Sequence, residues 1–266
     1  MSTISHFNSV RTAHGRRPDE KSLSRKRICT PGIALLFTIF SAAFSFAQTP
    51  YPSATDEAAW PGKGPIRLHP WMTDNRLSFW KKRDADQNAV VFVGSSMMAN
   101  WKTLAADLPE LKVANRGIGG DVSRGLLFRF QEDVLDLHPK AIVIGIGSND
   151  LSAHADPAVI VGNIEALVDL ARAADPKVPI LLCPVSPRDG ASAPLKPGAR
   201  EELNARIVAL GKAKGLPVLD LQTPFGDAEG KPIAELYAKD RIHFSPEGYR
   251  RFAEAMRKQL AEMGLL

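Results

Sequence analysis

Short, almost continuous apolar runs are set between longer amphipathic stretches, and this alternation constrains the fold more than any other feature of the chain. Residues 89–93 (AVVFV), 112–114, 141–146 (AIVIGI), 180–184 (ILLCP) and 217–221 (PVLDL) have the length and composition of strands. AVVFV and AIVIGI are apolar throughout and rich in β-branched residues, as strands covered on both faces are. Helical patterns occupy roughly 97–108, 122–137, 157–174, 199–214 and 246–263. Strands that alternate with helices predict βαβ units with right-handed crossovers. The expectation is an α/β protein with a five-stranded parallel sheet and helices on both faces. The long connections 184–198 and 222–240 both follow strands. Both therefore belong at the carboxyl edge of the sheet, where open α/β folds bind their ligands.

The first 47 residues differ in kind from the rest. Arg11, Arg16, Arg17, Lys21, Arg25, Lys26 and Arg27 precede the apolar run IALLFTIFSAAFSFA, which ends in the small-x-small triplet Ser45-Phe46-Ala47. This order reads as a secretory signal cut near Ala47, with a periplasmic or extracellular destination. The run is shorter than the roughly 20 residues of a membrane span. A retained anchor is the alternative. Residues 48–75, rich in proline and small polar residues, read as an N-terminal arm, and 76–266 as the folded domain. The whole basic excess of +5 falls in the first 47 residues, so the remainder is neutral and gives no sign of a nucleic-acid partner. Cys183 is the one cysteine after residue 47 and sits in an apolar run, which predicts a buried structural thiol and excludes an internal disulfide.

Four polar segments stand at the ends of strands or in the last loop. In VGSSM, Ser96 lies where a strand meets a helix, with its own N–H among the unpaired donors of the first turn. In NRGIGGD, Gly120 leads into a helix and leaves a free backbone donor. In GSND, Asn149 offers a side-chain amide directly after a buried strand, and in DRIH, Asp240 and His243 can meet across one turn. Separately these are a cap, a glycine turn, a turn asparagine and an exposed histidine. Together they supply a hydroxyl, a base, an orienting acid and donors for a developing oxyanion, which is what nucleophilic acyl transfer requires. No H-E-x-x-H, C-x-x-C, phosphate loop or G-x-S-x-G elbow is present, so neither a metal nor a cofactor is expected.

In these blocks the chain resembles the GDSL-type, or SGNH, hydrolases, from about Val90 to the last helix. Ser96, Gly120, Asn149 and the Asp240/His243 pair match the four blocks in order. VFVGSSM, GIGGDVSR, GSND and PVSPR are most similar to the branch that holds platelet-activating-factor acetylhydrolase catalytic subunits and bacterial saccharide acetylesterases. The family usually carries Asp before the nucleophile, where this chain has Ser95. The resemblance implies a flavodoxin-like three-layer α/β/α fold. It implies Ser96 as nucleophile, His243 as base and Asp240 as its orienting acid, with an oxyanion hole of Ser96, Gly120 and Asn149. The expected substrate is a small-molecule ester with an acetyl or other short acyl group, acetylated saccharides included. A lysophospholipase or thioesterase of broad specificity, or an acyltransferase on the same residues, is the alternative. Asp121 and Asp150, the candidates for a glycosidase pair, are expected to be helix-start and loop residues instead.

Overall fold

The computed structural model describes residues 48–266; the expected export signal lies outside them. Four parallel strands, β1 (Val90–Gly94), β2 (Val113–Gly117), β3 (Ala141–Gly145) and β4 (Ile180–Leu182), form a sheet in the order β2-β1-β3-β4. The helices are α1 (Pro70–Lys82), α2 (Ser96–Ala99), α3 (Leu104–Asp107), α4 (Ser123–Asp133), α5 (Ser148–Ser152), α6 (Pro157–Ala174), α7 (Ala199–Lys214) and α8 (Pro246–Glu262).

Every residue of β1 is buried, and alternate side chains feed two cores. Val91 and Val93, with Ile142 and Ile144, pack against Leu126 and Phe130 of α4, Ile164 and Leu167 of α6 and Ile207 of α7. Val90 and Phe92, with Val143, pack against Trp101 and against Phe252, Met256 and Leu260 of α8. The period-2 geometry of a strand thus produces the three layers. Local chemistry sets the helix starts. Asp156 accepts from Ala158 N at 2.7 Å, Ser245 accepts from Gly248 N at 3.1 Å, and a proline follows each cap at the first helical position.

Three expectations are corrected. The fifth strand, expected over 217–221, pairs with β4 through one parallel bridge, Leu182 to Val218. Proline explains the short pairing. Pro217 has no N–H to give the ladder, and its carbonyl accepts from Leu182 N at 3.1 Å. Beyond it, the Asp220 carboxylate accepts from Gln222 N and Thr223 N and turns the chain away. The helix expected over 97–108 is two short helices, α2 and α3, around a turn that buries Trp101. The helix expected over 122–137 stops at Asp133 and continues as a 3-10 turn, Leu135–Leu137.

Helix α1 begins at Pro70, within the segment read as an arm, and buries Met72, Arg76 and Phe79. Residues before it lie against the domain. The Arg124 guanidinium donates to the carbonyls of Glu57, Trp60, Pro61 and Gly64.

Strands β1, β2 and β3 end level, with Gly94 opposite both Gly117 and Gly145. A Cβ on Gly94 would lie 2.0 Å from the Gly145 carbonyl oxygen, and one on Gly117 2.3 Å from Ala99 N. Only glycine permits these approaches, and through them α2, with Ser96 at its first position, sits hard against the carboxyl edge of the sheet.

Candidate active site

Ser96 Oγ lies 2.8 Å from His243 Nε2, and His243 Nδ1 lies 2.6 Å from Asp240 Oδ2. Three residues from opposite ends of the domain therefore form one hydrogen-bonded chain. Asp240 Oδ1 accepts from the backbone N–H groups of Ile242 and His243 at 2.9 and 3.0 Å, so both carboxylate oxygens have partners. Partial burial alone would raise the Asp240 pKa. The hydrogen bonds from the His243 backbone and ring and from Ile242 outweigh it and hold the pKa below the usual carboxylate range. An ionised Asp240 accepts a hydrogen bond from Nδ1–H and so favours that tautomer, which leaves Nε2 with a lone pair toward the Ser96 hydroxyl.

The turn that brings Asp240 and His243 together is built on Arg241, which adopts a left-handed φ of 57°. Its guanidinium pairs with both carboxylate oxygens of Asp189 at 2.8 Å and donates to the Pro232 carbonyl. Gly190 permits the close fit: a Cβ there would stand 2.2 Å from the Asp240 carbonyl oxygen. Neither Asp189 nor Gly190 belongs to a recognised block. The proximity of loop 184–198 to the last loop in the sheet topology was the only signal for them.

Ser96, Asn149 and His243 line one cavity of about 270 Å³, whose wall is largely apolar and includes Met97, Ile146 and Leu221. Asn149 follows β3 by a short turn. Its amide donates to the Asp121 carbonyl at 2.9 Å, which leaves one amide hydrogen for the cavity. Gly120 is not part of the cavity lining. It has φ 84°, a left-handed conformation suited to glycine, and a Cβ there would lie 3.0 Å from His69 Cδ2. The Asn149–Asp121 bond, one residue further on, ties the Gly120 loop to the cavity wall. Arg129, fully buried, fastens the same loop to β1: its Nε donates to Asp121 Oδ2 at 2.9 Å and its Nη2 to the Gly94 carbonyl at 3.2 Å.

Ser95 is 4 % exposed, and its N–H donates to the Gly145 carbonyl at 3.4 Å. Cys183 is buried and its pKa is pushed upward by burial, as a structural thiol requires. Asp150 is fully buried, and its carboxylate accepts from Ser123 N and from Ser123 Oγ at 2.6 Å. Asp121 is engaged by Arg129, so neither aspartate faces the cavity as a free carboxylate.

The parallel sheet thus carries a hydrogen-bonded serine–histidine–aspartate chain at its carboxyl edge, in the form of an α/β hydrolase. The model of the GDSL-like Lipase/Acylhydrolase family matches residues 92–251, and the chain belongs to that family. The human platelet-activating factor acetylhydrolase IB subunit alpha2 is 28 % identical over 224 residues, spanning 80 % of this chain and 91 % of that protein; the rat protein matches equally. A GDSL-like lipase from Bacteroides thetaiotaomicron superposes with a TM-score of 0.64 at 27 % identity, over 72 % of this chain and 99 % of that one. An acetyl xylan esterase shares the fold with a TM-score of 0.56 at 22 % identity, over 64 % of this chain and 98 % of its own. The chain is thus a hydrolase of an ester-cleaving family. No helix among the described residues is long and apolar enough to cross a membrane.

Proposed function

We propose that this chain hydrolyses carboxylic esters of small molecules through an acyl-enzyme on Ser96, with a preference for acetyl and other short acyl groups. The observation that carries the reading is the continuous chain of 2.8 and 2.6 Å contacts from Ser96 through His243 to Asp240, opening on one cavity. Ser96 Oγ attacks the ester carbonyl carbon while His243 Nε2 takes its proton. The imidazolium so formed faces the Asp240 carboxylate, and the carbonyl oxygen gathers negative charge. The N–H of Ser96 and the free hydrogen of Asn149 are donors for that oxygen from the cavity wall, and the N–H of Gly120 is a third from the loop that the Asn149–Asp121 bond ties to that wall. Collapse of the tetrahedral state passes the His243 proton to the leaving alcohol. Water, deprotonated by the same histidine, then releases the acid and restores Ser96.

Replacement of Ser96 by alanine should abolish turnover of 4-nitrophenyl acetate without loss of fold, whereas Ser95→Ala should lose much less. A phosphonate label found on Ser95 alone would overturn the assignment. The short-acyl preference draws on the acetylhydrolase and acetyl xylan esterase relatives. The apolar wall of Met97, Ile146 and Leu221 favours a second reading, a lysophospholipase or thioesterase that takes longer chains. A panel of 4-nitrophenyl esters separates them: a maximum at acetyl to butyryl supports the first, and a maximum at long chains the second. Acetylated saccharides, with released acetate measured, test the alcohol side. An added sugar acceptor, with acyl-sugar product measured, separates hydrolysis from transfer.

The basic and apolar presequence supports export, with the exported protein beginning near Gln48. The intact mass of the exported protein checks this, and full-length chain kept in the membrane fraction would favour an anchor.

A further inference from the structure

Arg188 is a charged side chain in the wall of the same cavity as Ser96 and His243, and the proposed reaction does not use it. Residues 188–201 enclose an adjoining cavity of about 350 Å³, and Arg188 lines that one as well, so it stands where the two meet. Its carboxylate neighbours in the sequence and in the site are committed elsewhere. Asp189 pairs with Arg241 through both oxygens, and Asp240 with His243. Among the described residues Arg188 makes no ion pair; Asp240 acts on it only through space. Its bonds are to neutral acceptors: Nη1 donates to Ser148 Oγ at 2.6 Å and to Ser152 Oγ at 3.3 Å, and Nη2 to the Ala193 carbonyl. A guanidinium has five N–H donors, so these bonds fix its plane and leave Nε and one Nη2 hydrogen uncommitted.

A half-buried cation held rigid by neutral partners, with donors to spare and a reaction site in the same cavity, fits a ligand anion. We propose that Arg188 selects substrates whose alcohol portion carries an anionic oxyacid group, a carboxylate or a phosphate, and binds that group while the ester carbonyl lies at Ser96. This rests on the esterase reading above. A planar, permanently charged donor fork suits such oxyanions and is preorganised here by Ser148 and Ser152.

Three acetate esters of similar phenols test it: 4-acetoxybenzoate, 4-acetoxyphenyl phosphate and the neutral 4-acetoxybenzyl alcohol. The readout is the ratio of kcat/KM for each charged ester to that for the neutral one, so any general loss of activity cancels. The wild type should favour at least one charged ester by about tenfold at low salt, and the preference should shrink as ionic strength rises. The charged ester that gains more identifies the group. Arg188→Gln should remove most of the preference, and Arg188→Lys should keep part of it, because the charge survives without the fork. A wild-type ratio at or below one, or a ratio that Arg188→Gln leaves unchanged, overturns the proposal. Should Arg188→Gln fail to fold, the Arg188→Lys ratio and the salt dependence of the wild type decide, and a salt-independent ratio overturns it. Turnover of the neutral ester without preference for the charged ones sinks this inference alone. Failure to cleave any of the three sinks the esterase reading with it.

Discussion

Asn149 spends one amide hydrogen on the Asp121 carbonyl and keeps the other for the cavity, so its donor is positioned before any ester arrives. Charge on the substrate oxygen grows from bound ester to tetrahedral state, and a fixed donor therefore acts mainly on the transition state. Loss of one such donor typically lowers kcat by roughly 10²–10³. Asn149→Ala should do so with little change in KM, and Asn149→Asp should be at least as damaging, because a carboxylate would repel the oxyanion. Steady-state kinetics on 4-nitrophenyl acetate check this, and a normal kcat for the alanine variant would reduce Asn149 to a tie for the Gly120 loop. The pairing of Asp240 with His243 was legible in their spacing within one turn, and the resemblance to the hydrolase family implied that Ser96, two residues past β1, would meet them. Arg188, Asp189 and Gly190 were not. Their places depend on how loop 184–198 folds onto the Asp240–His243 turn, a contact between segments about 50 residues apart that no local spacing encodes.

Among the elements, α8 carries the clearest local signature and adjoins the site, since its cap Ser245 follows His243 by two residues. Ser245 Oγ accepts from Gly248 N at 3.1 Å and donates to the Glu235 carbonyl at 2.7 Å. Ser245→Ala loses the cap and leaves the carbonyl without that donor, at a cost of about 1–2 kcal/mol. The melting temperature should fall by roughly 2–4 °C per kcal/mol for a domain of this size. Loss of kcat should not follow, because the histidine turn has its own supports in the Asp189–Arg241 pair and the Ala238 N–H to His243 carbonyl bond at 2.8 Å. A fall in kcat with an unchanged melting temperature would contradict this. Caps and apolar strands of this kind were readable because each is a matter of adjacent residues. The break between α2 and α3 was not, since it accompanies the burial of Trp101 against Phe92 of β1 and against Phe252, a side chain far along the sequence. The fifth strand was over-read for the opposite reason: its residues are apolar enough for a strand, but pairing is decided by Pro217 and by the Asp220 turn.

At the scale of the whole molecule, one polar network joins α4, α5 and α6 to the segment before α1 and should make stability depend on pH. Asp150 of α5 accepts from Ser123 at the start of α4, Asn163 of α6 donates to Ser123 Oγ at 2.8 Å, and Asn163 also bonds the backbone of Lys63 before α1. Burial lifts the Asp150 pKa to about 6 from an ordinary 3.8, although the Ser123 hydroxyl and N–H work against the rise. The sign follows from which state holds the proton. Between those two values the folded protein binds it and the unfolded chain does not, so stability increases as pH falls through about 6 and the gain is complete below the unfolded value. Above pH 6 the fold carries an ionised carboxylate in its interior and the gain is absent. A shift of that size corresponds to about 3 kcal/mol. Asp150→Asn removes the titration while keeping the shape, so the comparison is between pH profiles rather than absolute stabilities. The melting temperature of the wild type minus that of the variant should increase by roughly 4–8 °C between pH 7.5 and 4.5, while contributions from other carboxylates cancel in the difference. A difference that does not change with pH would mean that the Ser123 donors and the surrounding network hold Asp150 ionised throughout, and that burial does not govern its charge.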